Sequence, residues 1–368
     1  MKNSSLITIL LIAILICILS VLSIFSSTFQ REGLVWQNIY QRQIIWISLG
    51  IILFLIIANI SYRRLWDWTY FLYAGCIFFL FLVFILGAVK FGAQRWLRFG
   101  WFNFQPSELA KLVMIVFLAR YFSLKDETNI TLLVGRLGLF RSLVLPLFFI
   151  SIPMGLIIEQ PDLGTGLLIF LTFLPMLYLA QVRLKYILSL LATALLSFPF
   201  VWNLLRGYQK DRLMVFLNPN IDPLGAGYTI IQSKIAIGSG GFFGRGWLSG
   251  TQSQLRFLPE AHTDFIFASF SEEWGLLGGI TLIILYFLLI RKGFAIAQRT
   301  NDQFGRLLAY GISILLGIQV VVNIAMTMGL APIVGIPLPL MSYGGSSIFV
   351  TFIALGILVN IDKSRAVF

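Results

Sequence analysis

Residues 258–267 contain the side chains of this sequence that are best suited to acid–base chemistry. They include His262, the one histidine of the chain, and Glu260 and Asp264, two of its 15 acidic residues. A carboxylate such as Asp264 can take a proton from a hydroxyl group and make it a nucleophile. A carboxylate near a helix start can instead simply favour the helix dipole, and the residues alone leave both interpretations open. Without a second histidine, His262 is expected to form hydrogen bonds and not to bind a metal.

A second polar group, Glu108 and Lys111, lies at the start of a long apolar run. Pro106 and Ser107 favour a helix start there, so the two charged residues share one helix face and can neutralise each other. An ionisable group at the centre of a membrane helix costs about 2.5–3.5 kcal/mol, which makes the pair a functional candidate. The alternative is a buried ion pair with a structural role alone.

Three further segments carry polar residues near the ends of apolar runs. Arg95 and Arg98 are suited to binding a phosphate or to anchoring their loop, and the anchor is favoured. Asp162 is expected to cap the helix that follows it. Ser342, Gly344 and Ser346 open the last apolar run, where glycine amides and serine hydroxyls suit an anion site. A broken-helix turn without a ligand fits these residues equally well.

The elements that must position these residues are membrane helices. Of the 368 residues, 58% are hydrophobic and 11% are charged, against about 25% charge in soluble proteins. We therefore predict an all-α polytopic membrane protein, a single domain over residues 1–368. The net charge of +12 is spread through short connectors, which disfavours nucleic acid as a partner and favours anionic membrane lipid. Ten transmembrane helices are predicted near 6–26, 44–60, 69–88, 107–123, 143–158, 163–180, 186–203, 264–290, 307–328 and 346–361.

The distribution of lysine and arginine over the connectors predicts the orientation. Most of these residues fall on one side if both termini are cytoplasmic. A large loop, about 204–262, then lies outside between the seventh and eighth helices. It is basic and contains Arg212, and we expect it to lie along the membrane surface and to face an anionic group. A solvated loop that contacts lipid headgroups is the alternative.

Six motifs, in order along nearly the whole chain, resemble the SEDS family (shape, elongation, division and sporulation: RodA, FtsW and SpoVE). They are GAQRWL at 92–97, FQPSELAK at 104–111, EQPDLGT at 159–165, GTQSQL at 250–255, LPEAHTDFIF at 258–267 and PLMSYGGSS at 339–347. The GTQSQL motif is more similar to the RodA branch than to the division branch, FtsW.

The resemblance implies a peptidoglycan glycosyltransferase of the bacterial plasma (inner) membrane. Such enzymes polymerise lipid II into β-1,4-linked glycan strands for cell-wall elongation and rod shape, and undecaprenyl diphosphate leaves. The family's catalytic aspartate corresponds to Asp264, and its buried charged pair to Glu108 and Lys111. Under this interpretation, the negative charge that develops on the diphosphate is offset by Arg95, Lys111 and Arg212. The helix start that contains Ser342, Gly344 and Ser346 could contribute as well.

Two alternative functions stay open. One is an FtsW-like division enzyme with the same activity, and the other is a lipid II flippase, which would use the same charged cavity to carry headgroups across the membrane without chemistry. A general transporter is disfavoured, because the polar candidates cluster on the outer half. A class B penicillin-binding protein is the expected protein partner. No cofactor is assigned, and the need for a divalent cation is left open.

Overall fold

The computed structural model describes residues 4–29, 38–90, 93–100, 102–127, 139–225 and 227–365, so that Gly92 of the first motif lies outside it. Thirteen α-helices form most of this part of the chain. In order they are α1 Ser4–Thr28, α2 Ile39–Ile57, α3 Arg64–Leu86, α4 Pro106–Glu127, α5 Leu145–Glu159, α6 Leu163–Leu179, α7 Leu184–Leu204, α8 Gly207–Leu217, α9 Tyr228–Ser239, α10 Thr251–Gln254, α11 Ile266–Arg299, α12 Gln303–Thr327 and α13 Gly345–Arg365.

Each of the ten predicted apolar segments coincides with a helix, which confirms a helical, polytopic membrane protein. Within the described residues, eight helices are long and apolar enough to cross a membrane: α1, α2, α3, α5 with the π-helical turn Phe140–Val144 before it, α7, α11, α12 and α13. Of the other two, α6 is apolar but 17 residues long, and α4 contains Glu108, Lys111 and Arg120. Ten spans and their orientation therefore stay predictions.

In the residues that the structure describes, a small antiparallel sheet departs from the all-helical prediction. Its strands are β1 Ala88–Lys90, β2 Ala93–Phe99 and β3 Phe102–Phe104, in the order β1-β2-β3. Leu97 pairs with Phe104 and Arg98 with Asn103 in the β2–β3 hairpin. Phe102 packs against Trp46 of α2, with 5.3 Å between ring centroids. The sheet thereby fixes β2, which carries Arg95, over the start of α4.

The centre of the bundle is formed by α4, α12 and α13. Among the helices of membrane-spanning length, α12 and α13 are the most buried and α7 is the least. Leu195, Leu196 and Phe200 of α7 are exposed, as expected for side chains that face lipid. Glu108 and Lys111 of the candidate site lie on α4, and the other candidate residues lie on β2, on α8 and around the starts of α11 and α13.

The large loop is folded, and part of it packs on the bundle. Helix α9 lies against α11 and α12, with Ile230 and Ala236 buried. Ser233 Oγ donates a hydrogen bond of 2.6 Å to the Thr327 carbonyl at the end of α12. The packing on the bundle was not indicated by the sequence, and the placement of the loop along the membrane surface stays a prediction. The packing holds α8, which carries Arg212, near the end of the bundle where residues 258–265 lie.

Candidate active site

Residues 258–265 form a turn in front of α11. The backbone N–H groups of Thr263 and Phe265 both donate to the Glu260 carbonyl, at 3.1 and 3.3 Å. Helix α11 begins at Ile266 with Phe265 as its N-cap, two residues later than the sequence indicated. Asp264 thus lies just outside the helix, and its side chain is not the cap.

The side chain of Asp264 is half-buried and is surrounded by other charges. Burial is the main cause that raises its pKa from 3.8 to about 6, and the charge of Glu260 adds to it. The positive charges of Arg212 and Arg95 oppose this rise, and Asp162 reinforces it. A carboxyl with a pKa close to neutrality is suited to act as a general base.

Two arginines from distant parts of the chain lie near Asp264. Burial and the charge of Arg95 lower the pKa of Arg212, which lies on α8 with its guanidinium 5.9 Å from the Tyr208 ring centroid. Arg95 donates from Nε to the Gln160 carbonyl at 3.1 Å, and from Nη2 to the Pro161 carbonyl. Arg95 therefore anchors its strand to the α5–α6 turn, as favoured from the sequence. Arg98 of the same strand is exposed.

Asp162 connects that turn to α4 and α6. It accepts hydrogen bonds from the backbone N–H (3.3 Å) and the hydroxyl (3.0 Å) of Thr165, which confirms the predicted helix cap. It also accepts from Ser107 Oγ at 3.1 Å and from Gln105 Nε2 at 3.3 Å, and Arg95 lies 3.9 Å away. These contacts place the start of α4 beside the arginine.

Glu108 and Lys111 form the predicted pair in the first turns of α4. Lys111 Nζ lies 2.7 Å from Glu108 Oε1, and both residues are 3% exposed. The two side chains neutralise each other inside the bundle, so Lys111 is held by its partner. A role in substrate binding stays a prediction.

The serines before and within α13 form hydrogen bonds within the fold. Ser342 Oγ donates to the Thr263 carbonyl at 2.7 Å and accepts from Leu338 N at 2.8 Å. Ser346 Oγ donates to the Asn103 carbonyl and accepts from Gln105 N, both at 3.1 Å. Because these bonds occupy both hydroxyls, the geometry favours the ligand-free turn. An anion site that includes Gly344 stays a prediction.

His262 and Asn323 differ in how well the sequence indicated their roles. His262 is buried, with its ring centroid 6.0 Å from that of Tyr343, in agreement with the expected structural role. Asn323 of α12 donates to the Asp264 carbonyl at 3.0 Å and was not among the candidates. Its one signal in the sequence is an amide within an apolar run.

In the described part of the chain, no group of three or more His, Cys, Asp or Glu side chains is arranged to hold a metal.

The fold and the site together define a polytopic integral membrane protein with a cluster of charged side chains at one end of its helical bundle. The profile of the family FTSW_RODA_SPOVE, described as "Cell cycle protein", matches residues 4–367. The chain belongs to this family. The resemblance seen in the six motifs is thus confirmed.

Relatives with a named activity and with solved structures extend the comparison. The Escherichia coli K12 protein named peptidoglycan glycosyltransferase MrdB is 43% identical over 97% of this chain and 93% of its own. A structure described as a peptidoglycan synthase complex that coordinates polymerization and crosslinking contains a chain with 31% identity and a TM-score of 0.79, with 97% of each chain covered. The Thermus thermophilus rod shape determining protein RodA gives 28% identity and a TM-score of 0.69, covering 97% of this chain and 96% of its own.

Proposed function

We propose that this protein is a peptidoglycan glycosyltransferase that polymerises lipid II into β-1,4-linked glycan for cell-wall elongation and rod shape. The activity is supported by family membership and by 43% identity to a relative named for it. The observation that carries the mechanism is the half-buried Asp264, whose pKa of about 6 suits a base, with Arg212 and Arg95 close enough to affect its charge.

In the proposed reaction, Asp264 takes the proton from the 4-hydroxyl of the acceptor N-acetylglucosamine. The oxygen attacks the anomeric carbon of the donor N-acetylmuramic acid, and the bond from that carbon to the diphosphate oxygen breaks. Undecaprenyl diphosphate leaves with the bonding electrons. An α-linked donor gives a β-linked product, so a single inverting displacement with one base is sufficient and no carboxylate nucleophile is needed.

The basic residues stabilise the negative charge that develops on the leaving diphosphate. Arg212 and Arg95 interact with the Asp264 carboxylate through space, so a diphosphate beside Asp264 lies within the field of both. Glu108 and Lys111 support the site from α4, and Lys111 needs Glu108 to stay buried as a cation. Ser342 and Gly344, just before α13, and Ser346 in its first turn complete the supporting set, and Ser342 holds the Thr263 carbonyl next to the base.

The proposal includes a location and a partner. The protein would be a multi-pass protein of the bacterial plasma membrane with Asp264 at the outer face. A class B penicillin-binding protein would crosslink the glycan strand that this protein makes. The similar chain in a synthase complex that couples polymerization to crosslinking supports such a partner.

The decisive experiment measures glycan length from labelled lipid II with the purified protein and a class B penicillin-binding protein in liposomes. Asp264→Ala and Asp264→Asn should abolish polymer while the thermal unfolding midpoint shows a folded protein. Asp67→Asn, which alters an exposed carboxylate in the first turn of α3, is the matched control and should leave polymer length unchanged. Normal polymer from both Asp264 variants would refute the base assignment.

The same preparation separates the alternatives. A flippase would move lipid II across the liposome membrane, and neither the wild-type protein nor the Asp264 variants would form polymer. Elongation and division branches are separated in cells, where an elongation enzyme restores rod shape to a depleted strain and a division enzyme restores septation.

A further inference from the structure

Asn323 joins the proposed base to the buried centre of the protein. It lies on α12, is 0% exposed, and its side-chain amide donates to the carbonyl oxygens of Asp264 at 3.0 Å and Ile336 at 2.7 Å. Both partners are acceptors, so the nitrogen of the amide must face them and both of its hydrogens are used. Asn323 Oδ1 accepts no hydrogen bond in the part of the chain that the structure describes. A buried acceptor without a donor is unfavourable, but an apolar residue at this position would leave both carbonyl oxygens without their donor.

The backbone leading to Asp264 is held at three successive carbonyl groups. The donors come from two segments that are far away in the sequence: Tyr343 N binds the His262 oxygen at 3.0 Å, Ser342 Oγ binds that of Thr263 at 2.7 Å, and Asn323 Nδ2 binds that of Asp264. The first two bonds fix the residues before the base. The bond from Asn323 is the one that reaches the base itself.

The second hydrogen bond of Asn323 holds the backbone segment that lies beside the Asp264 carboxylate. Ile336 follows Gly335, and Asp264 Oδ2 lies 3.4 Å from the position that a Cβ on Gly335 would take. One amide therefore holds both the backbone of the base and the backbone segment beside its carboxylate. Ser342 links the same two segments one residue before the base, through the Thr263 carbonyl and Leu338 N.

We propose that Asn323 is a positioning residue for glycosyl transfer, which fixes the direction of the Asp264 carboxylate through the backbone carbonyl of the same residue. This inference rests on the proposed role of Asp264 as the base. A displacement of a reacting group by about 1 Å can lower the rate about 100-fold, even when the altered residue does not touch the substrate.

The test uses Asn323→Asp and Asn323→Leu in the full-length protein. Aspartate keeps the shape but presents an acceptor to two carbonyl groups, and leucine removes both donors. We expect kcat for lipid II polymerisation to fall about 100-fold, with KM for lipid II unchanged because no substrate contact is removed. Ser313→Ala is the matched control, since Ser313 is equally buried on α12 and donates to the Ala309 carbonyl of its own helix.

A purely structural role would give a different result. Activity would then fall in proportion to the folded fraction, with kcat per folded molecule unchanged, and that outcome would overturn the proposal. A folded Asn323→Leu protein with the wild-type kcat would also overturn the proposal. If Asp264→Asn is inactive in the same assay, the base assignment is unaffected by that result. An active Asp264→Asn protein would instead refute the base assignment on which the inference rests.

Discussion

The chemistry of Asp264 depends on opposing effects within one small group of side chains. Burial and the negative charge of Glu260 raise the pKa of its carboxyl, while Arg212 and Arg95 lower it. The net result, about 6, leaves the carboxyl mostly ionised at neutral pH but with more affinity for a proton than an exposed aspartate. Both properties are needed by a base that takes a hydroxyl proton.

The pH dependence of polymerisation is the first prediction at this scale. Because Asp264 must be ionised to act as the proposed base, the rate should fall about tenfold per pH unit below about 6. Glu260→Gln removes a charge that raises the pKa and should move this limb to lower pH, whereas Arg212→Gln should move it to higher pH. Rates of glycan synthesis on both sides of pH 6 check this, and shifts in the same direction for both variants would contradict it.

Asp264→Asn should also raise the free energy of unfolding at neutral pH. The pKa of the folded carboxyl, about 6, lies above the value of 3.8 expected without the fold, so folding disfavours the ionised form. The advantage of asparagine should be fully present above pH 6 and should be lost as the pH falls towards 3.8. Thermal midpoints of the two proteins across this range measure it. A difference that does not change with pH would contradict the assigned cause.

At the scale of single elements, α4 shows how a buried charge depends on its partner. Glu108→Gln leaves Lys111 as an unpaired buried cation, which should destabilise the protein by about 3–5 kcal/mol. Glu108→Leu combined with Lys111→Met removes both charges and should recover most of this loss. Thermal midpoints and polymerisation rates are measured together. A double variant that is stable but inactive supports a role in the reaction, and one that regains activity supports an ion pair with a structural role alone.

Helix α11 is interrupted at Gly275, which has a φ of +65°. The loop after α9 supplies the hydrogen bonds lost at the break: Leu276 N donates to the Gly241 carbonyl at 2.9 Å, and Leu277 N to that of Phe242 at 3.2 Å. A Cβ on Gly275 would collide with the backbone N of Gly244. The break thus fastens the large loop to α11.

Gly275→Ala should therefore destabilise the protein by at least about 1–3 kcal/mol, from the positive φ alone. The matched control is Gly155→Ala on α5, where nothing lies within 4 Å of the added Cβ, and the gain in helix propensity should leave stability equal or higher. Thermal midpoints of the two variants give the comparison. A loss at Gly155 as large as that at Gly275 would show that the strain is not the cause.

At the scale of the whole molecule, the candidate site is assembled from segments that are far apart in the sequence. Strand β2, the α5–α6 turn, α8, residues 258–265 and the segment before α13 meet at one end of the bundle. Their charges therefore act on one carboxylate, although no two of Arg95, Arg212 and Asp264 are close in sequence.

The predicted orientation places this end of the bundle outside the cell. The native cysteines, Cys17 and Cys76, are buried and should react little with a membrane-impermeant maleimide. Leu224→Cys, at a position 88% exposed in the outer loop, should be labelled in intact cells. Gln298→Cys, exposed near the end of α11, should be labelled only after the membrane is permeabilised. The reverse pattern would refute the orientation.

The sequence by itself determined the membrane class, the ten helical segments, the Asp162 cap and the Glu108–Lys111 pair. These features depend on composition, helical period and neighbours within one turn, all of which are local properties of a chain. The six motifs also indicated the family and Asp264.

Only the tertiary structure decided what surrounds Asp264. The pKa of its carboxyl depends on burial and on charges contributed by β2, α8 and the α5–α6 turn. The hydroxyls of Ser342 and Ser346 suited an anion in the sequence but are used by backbone groups in the fold. Asn323 was a single amide in an apolar helix until packing placed it against the carbonyl of Asp264. Such contacts join residues far apart in the chain, so no local pattern specifies them.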